Sequence, residues 1–251
     1  MIINCEYDDL MNCAMSGGPC TLGNRGLAHI TGKVIYNHKF HHMSTLDGKF
    51  HGENDEPAVI TFHGNGMIRT RRYCKHGEFH RNSGPAVIIY HENGNKKEEF
   101  WLPSICFSPS YSGNNEYSNY MSSAHNDSGP ASILYYKSGK IQYEYYKTYG
   151  RFVEDKPGVI ERCDNESNSI KLERWYQDDK PSRDGGPAVT RYAEDEPGKI
   201  DFAEYLKDGK RHNESGPAFA KFTDRSPHEE YWLKGRRYDK DEYYKKVGTN
   251  P

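Results

Sequence analysis

The chain of 251 residues carries 34 basic and 36 acidic side chains, a net charge of −2, so it lacks the basic excess by which most nucleic-acid-binding domains are recognised, and nucleic acid is not an expected partner. Only 34% of its residues are hydrophobic, yet it holds 20 Tyr and 24 Gly, which excludes a thick aliphatic core and leaves aromatic rings to supply much of the buried surface. No stretch approaches the roughly 18 apolar residues of a membrane-spanning helix, and the start (Met1-Ile2-Ile3-Asn4-Cys5-Glu6) has no basic or apolar leader region, so a cytoplasmic location is expected, that of the host if the protein is viral.

Residues 1–45 read as a degenerate N-terminal repeat or cap, with Gly18-Pro19-Cys20 as a weak copy of a motif that recurs later. The cysteines at 5, 13, 20, 74, 106 and 163 form no C-x-x-C pair and are expected to be reduced thiols. His38, His41 and His42, with His29 nearby, are the densest histidine cluster. Adjacent His41 and His42 on a strand would point to opposite faces, and neither H-E-x-x-H nor a two-Cys, two-His spacing occurs, so no metal site is predicted.

From residue 46 to 238 the chain repeats itself. Glu56-Pro57-Ala58, Gly84-Pro85-Ala86, Gly129-Pro130-Ala131, Gly186-Pro187-Ala188 and Gly216-Pro217-Ala218 are near copies; with the weaker copies Gly18-Pro19-Cys20 and Lys156-Pro157-Gly158, four of the six proline spacings lie between 27 and 30 residues. After each proline, positions +1, +3 and +5 alternate as in Ala58, Ile60, Phe62 and in Ala86, Ile88, Tyr90. This predicts a strand with one buried face, and proline at its start costs no ladder bond. His63-Gly64-Asn65-Gly66 and Glu92-Asn93-Gly94-Asn95 then predict hairpin turns. A second strand ends on aromatics such as Tyr73, Trp101, Trp175 and Trp232, and a glycine (Gly77, Gly150, Gly209, Gly235) leads into a polar link. One hairpin is marginal alone, but stacked hairpins share an aromatic layer. The fold class is therefore all-β: an antiparallel hairpin-repeat solenoid or extended curved sheet of about seven degenerate hairpins, with Pro57, Gly84, Pro85, Gly129, Pro130, Gly186, Pro187, Gly216 and Pro217 as structural turn residues. Because His80, His125 and His212 recur in the polar link, they are expected to do a structural job, such as bonding a turn carbonyl, rather than to catalyse.

Two features stand out from the repeat. Arg69 and Arg71 share a strand face with Tyr73 by alternation, which is either a salt-bridged outer face or a basic-aromatic patch suited to a nucleotide, a phosphate or an acidic surface. The segment 103–120, rich in Ser, Asn and Tyr, interrupts the register and reads either as a mobile surface loop or as a binding loop on a rigid scaffold. Its Tyr111, Tyr117 and Tyr120, with Trp101, Trp175 and Trp232, are candidate contact residues. The tail 239–251 begins with Asp-Lys-Asp-Glu-Tyr-Tyr-Lys-Lys and could form one short helix that caps the stack.

The run Tyr73-Cys74-Lys75-His76-Gly77-Glu78-Phe79-His80-Arg81-Asn82-Ser83-Gly84-Pro85-Ala86 resembles a variant of MORN-type repeats, and Leu206 to Ala218 is a second copy. Members of that family occur in phages, giant viruses and bacteria, and some bacterial ones are labelled antitoxins. The resemblance implies a β-hairpin sheet with a protein or lipid contact role, and it carries over no catalytic residue. The spacing here is longer than in ordinary MORN repeats.

No phosphate loop occurs, Gly23-Asn24-Arg25-Gly26 does not match a dinucleotide fingerprint, and no G-x-S-x-G is present. Carboxylate doublets such as Glu98-Glu99 face opposite ways on a strand. The expected function is a non-enzymatic scaffold without cofactor that binds a partner protein, as a viral, phage or bacterial accessory or inhibitor. The alternatives are a protein that sequesters a small anionic nucleotide through Arg69, Arg71 and Tyr73, and a virion structural component. An exposed sheet edge would invite a homodimer.

Overall fold

The computed structural model describes residues 20–21, 27–28, 33–38, 41–47, 49–103, 105–106, 116–222 and 227–248. The chain divides into two compact units, 1–139 and 140–251. In the first, strands β1 (Lys33–His38), β2 (His41–Leu46), β3 (Val59–Phe62), β4 (Ile68–Arg72), β5 (Val87–Tyr90), β6 (Lys96–Phe100) and β7 (Ser132–Tyr135) pair antiparallel, each with the next. In the second, β8 (Ile141–Tyr145), β9 (Val159–Arg162), β10 (Ile170–Arg174), β11 (Val189–Tyr192), β12 (Ile200–Glu204), β13 (Phe219–Lys221), β14 (His228–Leu233) and β15 (Arg236–Tyr238) do the same. The array is all-β and antiparallel, built of hairpins.

The proline marks each strand start, as alternation predicts: strands begin two residues after Pro57, Pro85, Pro130, Pro157, Pro187 and Pro217. The turns also follow from sequence. Gly66 and Gly94 have φ of 84° and 86°; each donates its N–H to the carbonyl three residues back, at 2.9 Å, the type I turn with a left-handed residue that three-residue hairpins favour.

One buried face was expected, and two are covered. Ala58, Ala86, Ala131, Ala188 and Ala218 are buried, but so are Val59 and Val87, which follow two of them, and Val159, which follows Gly158 at the same repeat position; these valines point the other way. The polar link explains this. Instead of a loop it forms a miniature hairpin: Cys74–Lys75 with Glu78–Phe79, Lys147–Thr148 with Arg151–Phe152, Tyr176–Gln177 with Lys180–Pro181, and Leu206–Lys207 with Lys210–Arg211. Their turns hold two successive residues at positive φ, as in His76-Gly77 (50°, 84°) and Asp208-Gly209 (52°, 74°), the type I′ pattern. Neighbouring clips join through the same glycine: the Gly77 N–H donates to Phe50 O at 2.8 Å, Gly209 to Pro181 O at 3.0 Å and Gly235 to Arg211 O at 2.8 Å. The clips thus roof the valine face. Arg211 shows how: it spans Glu204 and Glu230, each at 2.7 Å, over the Phe219 ring at 4.5 Å.

The insertion is not wholly a loop. Helix α1 (Glu116–Ser123) starts within it and runs past its end, and it seats Tyr120 against Phe79 and Phe100, with ring centroids 5.6 and 5.2 Å away. Tyr120 is 1% exposed and joins Phe50, Val59 and Val87 in the core of the first unit. In the second unit, helix α2 (Lys240–Val247) buries Tyr243, so the tail is the short helix that its sequence suggests.

Candidate binding groove

A bulge decides which way the cations of β4 and β6 point. The register of β3 with β4 passes from Thr61–Thr70 to Phe62–Ile68, which leaves Arg69 unopposed; Lys97, Lys171 and Asp201 are skipped in the same way. The extra residue breaks the alternation and re-aims its side chain. Arg69 therefore turns to the side of Thr70, away from Arg71. The second unit shows the same rule: Lys171 reaches Glu161 and Asp201 reaches Arg191, both partners on the valine face.

Arg69 lines a groove of about 1030 Å³ with Thr70, Ile89, Lys97, Glu98 and Tyr120. Its rim is a ladder of hairpin turns. His63 Nε2 meets Tyr90 O at 3.0 Å and His91 Nε2 meets Tyr135 O at 3.4 Å. Asn65 donates to Glu92 O, and both Asn93 and Asn95 donate to Lys137 O, each at 2.9 Å. Within the groove Lys97 pairs with Glu98 at 3.4 Å. Burial pushes the Glu98 carboxyl above its ordinary range, against the pull of Lys97. Arg69 and Lys137 are exposed, and their side chains make no ion pair or hydrogen bond among the described residues.

The Arg69, Arg71 and Tyr73 patch is not one site, because the bulge separates its members. Arg71 lies on the alanine face, 5.7 Å from the Tyr90 ring centroid, with a buried Nε that has no hydrogen-bond partner among the described residues. Tyr73 is buried beneath Arg81, whose guanidinium is 3.8 Å from its ring centroid. The tryptophans also serve the fold. Trp175 lies under Arg183 at 3.7 Å. Trp232 donates Nε1 to Glu230 at 2.9 Å. Trp101 ties its backbone N–H to Ala131 O and accepts from the His125 N–H, both at 2.9 Å. Tyr120 is core and, although it lines the groove, is only 1% exposed and offers a partner almost no contact area; the backbone places Tyr117 on α1, and Tyr111 lies outside the described residues.

No family model, curated protein or solved structure matches the chain. What the groove can do rests on its own residues. The sequence reading missed Lys97, Lys137, His63 and His91, although a signal was present: His63 and His91 both stand six residues after a proline, and Arg69 and Lys97 twelve. Two of the link histidines, His80 and His212, make structural contacts with groups other than a turn carbonyl. His212 Nδ1 accepts the Lys234 N–H at 3.3 Å and His80 meets Asn82 at 3.0 Å, whereas the contacts to turn-flanking carbonyls belong to His63 and His91. Cys74, a buried thiol, is pushed up to about 12 by burial, which leaves it thiol rather than the reactive thiolate at neutral pH. Among the described residues no three His, Cys, Asp or Glu side chains gather as a metal site, and no helix is long and apolar enough to cross a membrane.

Proposed function

We propose that the protein is a non-enzymatic repeat scaffold that binds a partner protein through the groove of its first unit. The MORN-like motif fits this reading and suggests an accessory or inhibitor protein of a phage, virus or bacterium. The carrying observation is the combination of a rim locked by side-chain bonds between successive hairpin turns with a bulge arginine that has no counterion among the described residues. A rigid site loses little entropy on binding, and an exposed cation steers an acidic surface.

Site-specific photo-cross-linking tests this. A cross-linking side chain at position 69 should capture a discrete protein from the cell in which the chain is expressed, and the same group at Lys75, on a clip outside the groove, should not. Capture at neither position, or equal capture at both, counts against the groove as the binding site.

A further inference from the structure

We infer that the groove takes an extended acidic peptide segment carrying two carboxylates about four residues apart with an apolar side chain between them. This rests on the partner-binding reading above and specifies the partner's chemistry. The first argument is charge. In the second unit the bulge residues are neutralised from within: Lys171 pairs with Glu194 at 3.1 Å and Glu161 at 3.5 Å, and Asp201 with Arg191 at 2.8 Å. Glu161 and Arg191 stand four residues after their prolines, where the first unit has Thr61 and Ile89. Arg69 thus keeps its bulge position but has lost the residue that would neutralise it.

The second argument is distance. Arg69 sits on β4 and Lys137 follows β7, with β5 and β6 between them. Three strand spacings of about 4.8 Å put them roughly 14 Å apart in the sheet direction, too far for one phosphate or carboxylate to meet both. An extended chain advances about 3.3 Å per residue, so the span is about four residues. Residues i, i+2 and i+4 of an extended segment face the same side. With i on Arg69 and i+4 on Lys137, residue i+2 lies over the middle strands, where Ile89 supplies an apolar floor.

The probe is a synthetic peptide, Gly-Glu-Ser-Leu-Ser-Glu-Gly, titrated into the full chain while the backbone amide shifts of Thr70 and Ile89 are followed by NMR. Saturable shifts are expected. An isomer with adjacent acids, Gly-Ser-Glu-Glu-Leu-Ser-Gly, should bind at least threefold more weakly. Arg69→Glu and Lys137→Glu should each weaken the first peptide at least threefold, and Lys75→Glu should leave it unchanged. Unaltered melting temperatures show that the variants fold. Equal affinity for the two isomers overturns the spacing, and no saturable shift overturns the peptide assignment. Displacement of the peptide by inorganic phosphate at equal concentration overturns it in favour of a small-anion site. A protein cross-linked at position 69 while the peptide fails removes only this inference; peptide binding without any cross-linked protein removes the partner reading instead.

Discussion

Arg81 stacks on Tyr73, its guanidinium carbon 3.8 Å from the ring centroid, and Arg183 repeats the arrangement on Trp175 at 3.7 Å. The stack ties one repeat to the one before it, because Arg81 Nε also donates to Asp55 Oδ2 at 3.0 Å. Ser83 Oγ donates to the same carboxylate at 2.9 Å and the Asn82 N–H at 3.3 Å. Burial pushes the Asp55 carboxyl up, but the hydrogen bonds from Arg81 and Ser83, the Arg81 charge and the Asn82 amide outweigh it and hold it below its ordinary 3.8.

A depressed acid stabilises the fold above its unfolded pKa and loses that contribution as pH falls through the folded value. The Asp55 contribution is therefore complete above about pH 3.8 and fades below it. Asp55→Asn should lower stability at neutral pH and bring its acid unfolding curve towards the wild type as pH drops under that value. Equal differences at pH 7 and pH 3, measured by urea unfolding, would contradict the assignment. Arg81→Ala should cost about 0.5–2 kcal/mol from the lost cation–ring contact.

Glu98 carries the opposite sign. Its carboxyl is raised above 4.5 by burial, with Lys97 and His91 pulling the other way. A raised acid stabilises the fold below its unfolded pKa and loses that contribution as pH rises through the folded value. At pH 7 the buried charge therefore works against the fold, and Glu98→Gln should raise the melting temperature there while gaining nothing at pH 4. Thermal scans at the two pH values check this; a lower melting temperature at pH 7 would mean that the Lys97 ion pair outweighs the burial.

Much of this was legible in the sequence. Prolines such as Pro57 and Pro85 locate strand starts because proline must sit where no ladder N–H is needed, and Gly66 and Gly94 locate turns because only a left-handed residue closes them. The clips were not legible, since two-residue strands such as Cys74–Lys75 are too short to show a period; only His76-Gly77 and its equivalents hinted at a second turn. Nor was the site. Alternation puts Arg69 beside Arg71, and a one-residue bulge that no residue type announces sends them to opposite faces. Tyr120 shows the same limit: a tyrosine in a polar insertion looks available, and only the packing of Phe79 and Phe100 around it shows that it is core.

Gly158 stands where the tripeptide normally has alanine, and the reason is a ring pair. Phe152 and Tyr176 stack with centroids 4.0 Å apart and planes 11° apart. A Cβ on Gly158 would lie 2.8 Å from Tyr176 Cδ2 and 2.9 Å from Phe152 Cδ1. Gly158→Ala should therefore pry the rings apart at a cost of about 1–3 kcal/mol, the range for overpacking. Gly64→Ala is the contrast: nothing lies within 4 Å of its Cβ position, so it should be neutral or gain up to about 1 kcal/mol by stiffening the unfolded chain. Urea midpoints for the two variants decide, and a destabilisation at Gly64 equal to that at Gly158 would leave the ring pair with no role.

The C-terminal helix should prove an integral part of the second unit. Tyr243 is fully buried; its hydroxyl donates to Asn213 O at 2.9 Å and accepts the Gly216 N–H at 3.0 Å, while its ring lies 5.0 Å from that of Tyr231. The hydroxyl thus satisfies both sides of the last Gly-Pro turn. Tyr243→Phe keeps the ring but leaves a buried amide and a carbonyl without this partner, at a cost of about 1–3 kcal/mol. Tyr243→Ala also opens a cavity and should cost about 3–5 kcal/mol, as other large aromatic truncations do. Amide hydrogen exchange gives the local readout. Protection of Gly216 should fall in the Phe variant while that of Val87, in the first unit, stays unchanged. If Gly216 exchanges at the wild-type rate in the Phe variant, the hydroxyl does not hold that turn.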